Sequence, residues 1–199
     1  MAYDRVTPER LALFLDRLVR EFRRPGCLYL VGGTGLLYQG LKVGTKDIDL
    51  AYDIAVSDRD AFARALVRLR HDLNIAVEKV SPGDFIPLPR ATAEGHLYLG
   101  RKGELDIFAF DPVATALAKL ARYRQADLDD VLALLHAGQL SLDTLVAAFE
   151  EILPRVAAGE ALKITAEEYR VKVSTFLAVA QERGFSPTTS PGSSFLPPP

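Results

Sequence analysis

The sequence predicts an α+β fold: a small mixed sheet with flanking helices over residues 1–110, followed by a helical portion over 111–183. Two patterns carry this. Up to residue 110, stretches with the 3.6-residue spacing of amphipathic helices alternate with the short or every-second-residue apolar runs of strands; beyond Asp111 only the helical spacing remains. Composition agrees, with 49% apolar and 25% charged residues in a chain of 199, enough for a buried core with a helical extension.

The elements follow in order. Thr7-Pro8 supplies a hydroxyl N-cap and a proline at the first helical position, opening a helix over 8–24 with Leu11, Phe14, Leu15, Leu18, Val19 and Phe22 on one side. The sheet core spans 27–110: "CLYLV" (27–31) reads as a buried strand, Thr34 to Gly40 as a short helix, and "DIDLAY" (47–52) as a second strand. Ser57 to His71 is amphipathic, with Phe62, Leu66 and Leu69 inward; "IAVEKV" (75–80) alternates like a strand. "HLYLG-RKG-ELDIFAF" (96–110) reads as a hairpin turning at Arg101-Lys102-Gly103. Asp111-Pro112 starts the first of four helices, the others covering about 126–137, 141–157 and 165–183; Thr165-Ala166-Glu167-Glu168 is a capping box for the last. Residues 184–199 form a Pro/Ser-rich tail expected to be flexible.

Several function classes recede at this level. A net charge of −2 provides no general basic field for nucleic acid, and Arg17, Arg20, Arg23 and Arg24 read as a solvated helix end. Cys27 is the single cysteine, which excludes an intrachain disulfide and a cysteine zinc cluster and suits a cytoplasmic setting. The opening "MAYDRVTPER" is too polar for a signal peptide, and no run approaches ~18 apolar residues, so no membrane contact is expected. His71, His96 and His136 show no metal-ligand spacing and read as structural.

Chemistry concentrates in two neighbouring motifs. Gly32-Gly33-Thr34-Gly35 follows a strand and precedes a helix, where bare backbone lets an anion approach closely. It is neither a dinucleotide fingerprint, which would need glycine where Tyr38 stands, nor a P-loop, which would need lysine where Leu41 stands. By itself it is a tight turn. Asp47 and Asp49 then lie two apart in a strand, so both carboxylates project to one side while Ile48 and Leu50 face the other. Aspartate is depleted in strands, and like charges at this spacing repel unless a cation lies between them; all-oxygen ligands favour Mg²⁺ or Mn²⁺. Asp53 shares the side but lies roughly 20 Å from Asp47. Asp106, in "GELDIFAF", offers a third acid, with Glu104 as the alternative nearer the hairpin turn.

Together these residues carry a resemblance. "VGGTGLLYQGLKVGTKDIDL" resembles the signature of the DNA polymerase β-like nucleotidyltransferase superfamily, and "ELDIFAF" is similar to the strand bearing that superfamily's third acid; the match spans residues 28–110. "ALAKLARYRQADLDDVLALL" resembles a helical motif of bacterial members related to abortive-infection and toxin–antitoxin nucleotidyltransferases. The resemblance implies a nucleotidyltransferase-type mixed sheet and transfer of a nucleoside monophosphate from an NTP to an acceptor hydroxyl on RNA or protein, with a cognate antitoxin as a partner. Gly32, Gly33, Thr34 and Lys119 would meet the nucleotide phosphates; Asp47, Asp49 and Asp106 would hold two Mg²⁺ (or Mn²⁺), with Asp106 helping to activate the acceptor. Asp127 and Asp130 read as an N-cap and an N3 acid, chiefly structural, while Lys119 divides evenly between a phosphate contact and a surface lysine. Two alternatives stand beside this: an Asp-x-Asp glycosyltransferase, which has no need of Asp106, and a non-catalytic nucleotidyltransferase-fold partner.

Overall fold

A computed structural model describes residues 3–161 and 163–186; the tail expected to be flexible lies, from residue 187 onward, outside the described residues. Chain order is α1 (Pro8–Glu21), β1 (Gly26–Leu30), α2 (Gly32–Tyr38), β2 (Asp47–Ile54), α3 (Arg59–Asp72), β3 (Ala76–Lys79), β4 (Leu97–Lys102), β5 (Leu105–Ala109), then α4 (Pro112–Arg122), α5 (Gln125–His136), α6 (Leu142–Ala157) and α7 (Ala166–Glu182). The class is α+β, with a five-stranded mixed sheet. Among the described residues no helix is long and apolar enough to cross a membrane.

The chain divides into two compact units. The first comprises residues 1–81 and 96–111 and holds the sheet, in the order β3-β2-β1-β5-β4. β1 pairs antiparallel with β2 and parallel with β5; β3 runs parallel to β2 at one edge, and β4 antiparallel to β5 at the other. Strand parity sorts the side chains. Leu28, Leu30, Ile48, Leu50, Leu105 and Ile107 cluster with Leu11, Phe14, Leu15 and Leu18 of α1 and with Phe62, Ala65 and Leu69 of α3. Each such large side chain, fully buried, contributes about 1.5–3 kcal/mol. The opposite parity gives Cys27, Tyr29, Asp47, Asp49, Ala51, Asp53, Asp106 and Phe108, all half-buried or exposed, and this is the open face.

Where boundaries depart from expectation, a side chain or a glycine explains it. α1 stops at Glu21 because Phe22 leaves helical geometry and turns its ring edge-on to Phe62, centroids 4.9 Å apart. The hairpin turns at Gly103-Glu104, one step later than expected, because β4 runs on through Lys102 to the left-handed Gly103 (φ 56°).

The second unit joins residues 82–95 to the helices from Pro112 onward, so the segment before the hairpin belongs with the helical portion rather than with the sheet that flanks it in sequence. Arg155 donates to Leu88 O (2.9 Å), and Glu151 accepts from the Arg90 N–H (2.9 Å), fixing that segment to α6. The buried Tyr169 of α7 meets Phe149 of α6 edge-on (4.9 Å) and donates its hydroxyl to Leu117 O of α4 (2.7 Å). Thr165 caps α7 by accepting from the Glu168 N–H, and Ser141 and Thr144 form a reciprocal capping box on α6.

Candidate functional site

The site grows from the end of β1. Gly32 adopts φ 54°, a left-handed conformation that suits glycine. Gly35 cannot carry a side chain either, since a Cβ there would lie 2.8 Å from Leu30 O. α2 therefore starts hard against the strand it follows, two residues earlier than the sequence suggested. Thr34 is fully buried, and its hydroxyl turns away from the turn toward β2. It accepts from the Asp49 N–H (2.9 Å) and donates to Asp47 O (3.4 Å). The Val31 N–H reaches Asp49 O at 3.0 Å. Thr34, expected to meet phosphate, is instead the brace that locks the glycine turn to the two-aspartate strand.

The loop into β2 is held as firmly. Val6 and Thr45 exchange backbone hydrogen bonds of 2.9 and 3.0 Å. This brings Thr45 and Lys42 to the bare Cα of Gly33: a Cβ built there would lie 3.0 Å from Thr45 Oγ1 and 3.9 Å from Lys42 Nζ. A lysine ammonium thus stands at the glycine turn, supplied by Lys42.

Asp47 and Asp49 project together as parity requires, and the third acid beside them is Glu78. β3 runs parallel to β2 with Glu78 in register with Asp49, and oxygens of Asp47, Asp49 and Glu78 lie within 4.8 Å of one another. The two aspartates are half-buried and Glu78 is exposed. A Cβ on Gly32 would lie 3.9 Å from Asp49 Oδ2, so carboxylates and turn adjoin. Three carboxylates at this separation form a hard, all-oxygen donor set suited to Mg²⁺ or Mn²⁺. The sequence held a signal for Glu78: a β2–α3–β3 crossover returns a parallel strand beside β2, which puts the acid of "AVEK" level with one of the pair.

Asp106 does not join them. It shares the open face, yet its register partner on β1 is Cys27, whose partner on β2 is Asp53. The cause is strand direction. β5 runs parallel to β1, so an acid near the start of β5 lies beside the start of β1, whereas the start of antiparallel β2 lies beside the end of β1. From Asp49 the offset is roughly 13 Å along the strands and two strand spacings, about 10 Å, across them. Asp106 faces Arg101 across the ladder and lies 3.4 Å from the Tyr98 hydroxyl.

Lys119 also goes elsewhere. It is 4% exposed, and its ammonium meets Asp130 at 2.6 Å and Asp127 at 3.4 Å within the helical unit. Arg122 adds a bond to Asp127 at 2.6 Å. α5 begins at Gln125, so Asp127 lies inside its first turn and is no N-cap; its carboxylate serves the lysine. A buried ammonium needs counter-charge, and the short α4–α5 connection supplies two.

Beside the carboxylates the open face is aromatic. Tyr29 stacks on Phe108 (centroids 5.3 Å, 25° between planes) and touches His96 (4.7 Å); Tyr98 meets Phe108 at 5.3 Å. Burial, then the Cys27 thiol and the Asp53 carboxylate, push the Tyr29 phenol above its ordinary range. His96 Nδ1 accepts from the Asp111 N–H at 3.1 Å, and burial holds the imidazole below its usual pKa, against the opposing pull of the Asp111 carboxylate.

No protein-family model, curated protein or solved structure matches this chain.

Proposed function

We propose that the chain is a metal-dependent nucleotidyltransferase, moving a nucleoside monophosphate from an NTP to an acceptor hydroxyl. The observation that supports this best is the meeting of Asp47, Asp49 and Glu78, within 4.8 Å, beside a glycine turn with a lysine against it. Asp47, Asp49 and Glu78 would hold divalent cations, which supply charge neutralisation at the reacting phosphate. The chain's own groups do the rest. The bare backbone of Gly32 admits the phosphates, Gly33 lets Thr45 and Lys42 close against the turn, and Lys42 offsets the phosphate charge as a compact cation. Thr34 keeps the turn and both aspartates in one frame. Glu78, the most exposed of the three acids, takes the acceptor's proton at a carboxylate oxygen. The acceptor oxygen bonds to the α-phosphorus, and the bond from that phosphorus to the bridging oxygen breaks, releasing pyrophosphate.

The test incubates the protein with each labelled NTP, Mg²⁺ and separate RNA and protein fractions. Mg²⁺-dependent label transfer with pyrophosphate release is expected, abolished in Glu78→Gln and retained in Asp106→Asn. Transfer that survives Glu78→Gln and disappears in Asp106→Asn would refute the assignment of the third acid. No NTP binding with Mg²⁺ present would refute the activity.

A further inference from the structure

We infer that the donor nucleotide's base occupies a slot over Ala51 on the open face, against the ring of Tyr29, with Asp53 reading its edge. This rests on the nucleotidyltransferase reading and names what that site would select.

Ala51 is the small residue of its row. Asp49 and Asp53 flank it along β2, and Tyr29 is its register partner on β1. Directly opposed residues of an antiparallel pair have Cβ atoms about 4.5–5.5 Å apart, so the Tyr29 ring stands beside the alanine methyl. Its neighbour on the β5 side is Phe108, stacked at 5.3 Å. Toward β2 the sheet offers only that methyl. On the far side the chain continues past β3 through Val80, whose N–H bonds to Leu50 O at 3.0 Å. Tyr29, Ala51 and Val80 are all half-buried, and strand parity sets their side chains on one face, an aromatic ring beside two apolar groups; this is the proposed trough.

The trough is continuous with the carboxylate cluster. Asp49 closes one end and Asp53 the other, roughly 13 Å apart along the strand, room for a ribose and base laid out from an α-phosphate held near Asp49. A planar base gains stacking against Tyr29, as aromatic–base contacts do elsewhere. Asp53 is exposed, and an ionised carboxylate only accepts hydrogen bonds. It complements a base edge bearing an amino group, as in adenine, cytosine or guanine. Uracil, whose edge presents carbonyl oxygens on both sides of its N–H, is disfavoured there.

The experiment compares Mg²⁺-dependent binding of ATP, GTP, CTP and UTP with that of inorganic triphosphate, which carries the phosphates and no base. Wild type should bind the amino-bearing nucleotides at least tenfold more tightly than inorganic triphosphate, with UTP weakest. Ala51→Leu fills the trough on a half-exposed surface; it should remove that advantage and leave triphosphate affinity unchanged. Tyr29→Leu, with its folding checked by melting temperature, should do the same more weakly. Asp53→Asn should narrow the gap between UTP and the others. Equal NTP affinity in wild type and Ala51→Leu would overturn the slot while the nucleotidyltransferase reading stands. If neither NTP nor triphosphate binds with Mg²⁺, both fall.

Discussion

Each unit of this protein contains a pair of closely spaced aspartates, and the two pairs have opposite electrostatic fates. In the helical unit Asp127 and Asp130 are buried, and Lys119 and Arg122 bring positive charge within 2.6–3.4 Å. In the sheet unit Asp47 and Asp49 remain partly exposed and gain a third carboxylate, Glu78. One cluster is buried with two cations of the chain against it; the other is half-open and brings three carboxylates within 4.8 Å of one another. Burying an uncompensated charge is prohibitive, so the closed cluster is what folding requires. Concentrating negative charge at a half-open surface has no folding benefit, which makes it the better candidate for binding something from solution.

The largest effects should separate the two clusters by what they damage. Glu78→Gln or Asp47→Asn removes a ligand from the open cluster. Loss of several kcal/mol of transition-state stabilisation corresponds to roughly a hundredfold to ten-thousandfold in rate. Without metal the fold should hold or gain stability, since repulsion is relieved. Mg²⁺ at ~100 times its Kd should stabilise wild type by about 2.7 kcal/mol, and the variants much less. Thermal melts with and without Mg²⁺, run beside transfer assays, check both. A metal-free variant that melts far below wild type would mark the acids as structural.

Lys119→Met tests the closed cluster. Leaving Asp127 and Asp130 buried without their partner should cost about 3–5 kcal/mol. Replacing all three by apolar residues should recover most of it. Urea titrations of the single and triple variants decide this. A single variant as stable as wild type would mean the cluster is solvated and the contrast between the two pairs fails.

The brace between turn and strand comes next. In Thr34→Val the Asp49 N–H loses its acceptor inside the protein, at about 1–3 kcal/mol. Thr34→Ser keeps the hydroxyl and should restore both stability and Mg²⁺ affinity. If Val and Ser behave alike, the hydroxyl is not what joins the turn to Asp49.

These expectations also mark how far the sequence could be read. Helical and strand periodicity located each α-helix and β-strand of the described residues to within a few residues, because apolar spacing is a local property, but not the short 3-10 turns at Val56–Asp58, Pro82–Asp84 and Arg90–Thr92. The projection of Asp47 and Asp49 to one side was legible for the same reason. Which third acid meets them was only partly legible, through the helical crossover that returns β3 beside β2. Asp106 and Glu78 both lie on the open face, and the choice depends on strand order and direction, which periodicity does not encode. Lys119 failed differently. Its spacing from Asp127 and Asp130 fits a family motif and a buried ion cluster equally well, and only helix packing distinguishes them. Lys42 had no signal at all, because it reaches Gly33 through a loop held by the Val6–Thr45 bridge.

The smallest effect concerns the proton. The imidazole on the open face is His96, set against Tyr29, Phe110 and the Asp111 N–H. Burial lowers its pKa below the ordinary value of 6.5. The folded state therefore binds this proton less readily than the unfolded chain. Its stability contribution is fully present above about pH 6.5 and is lost as pH falls through the depressed folded value. The geometry agrees, since Nδ1 accepts from the Asp111 N–H and a protonated Nδ1 cannot. That bond contributes about 1 kcal/mol, which bounds the effect. Stability should fall modestly between pH 7 and 5. His96→Phe keeps the ring against Tyr29 and Phe110 and removes the titrating group. It should lower stability by a constant amount and flatten this part of the pH profile. An unchanged slope in His96→Phe would assign the acid sensitivity to the carboxylates alone.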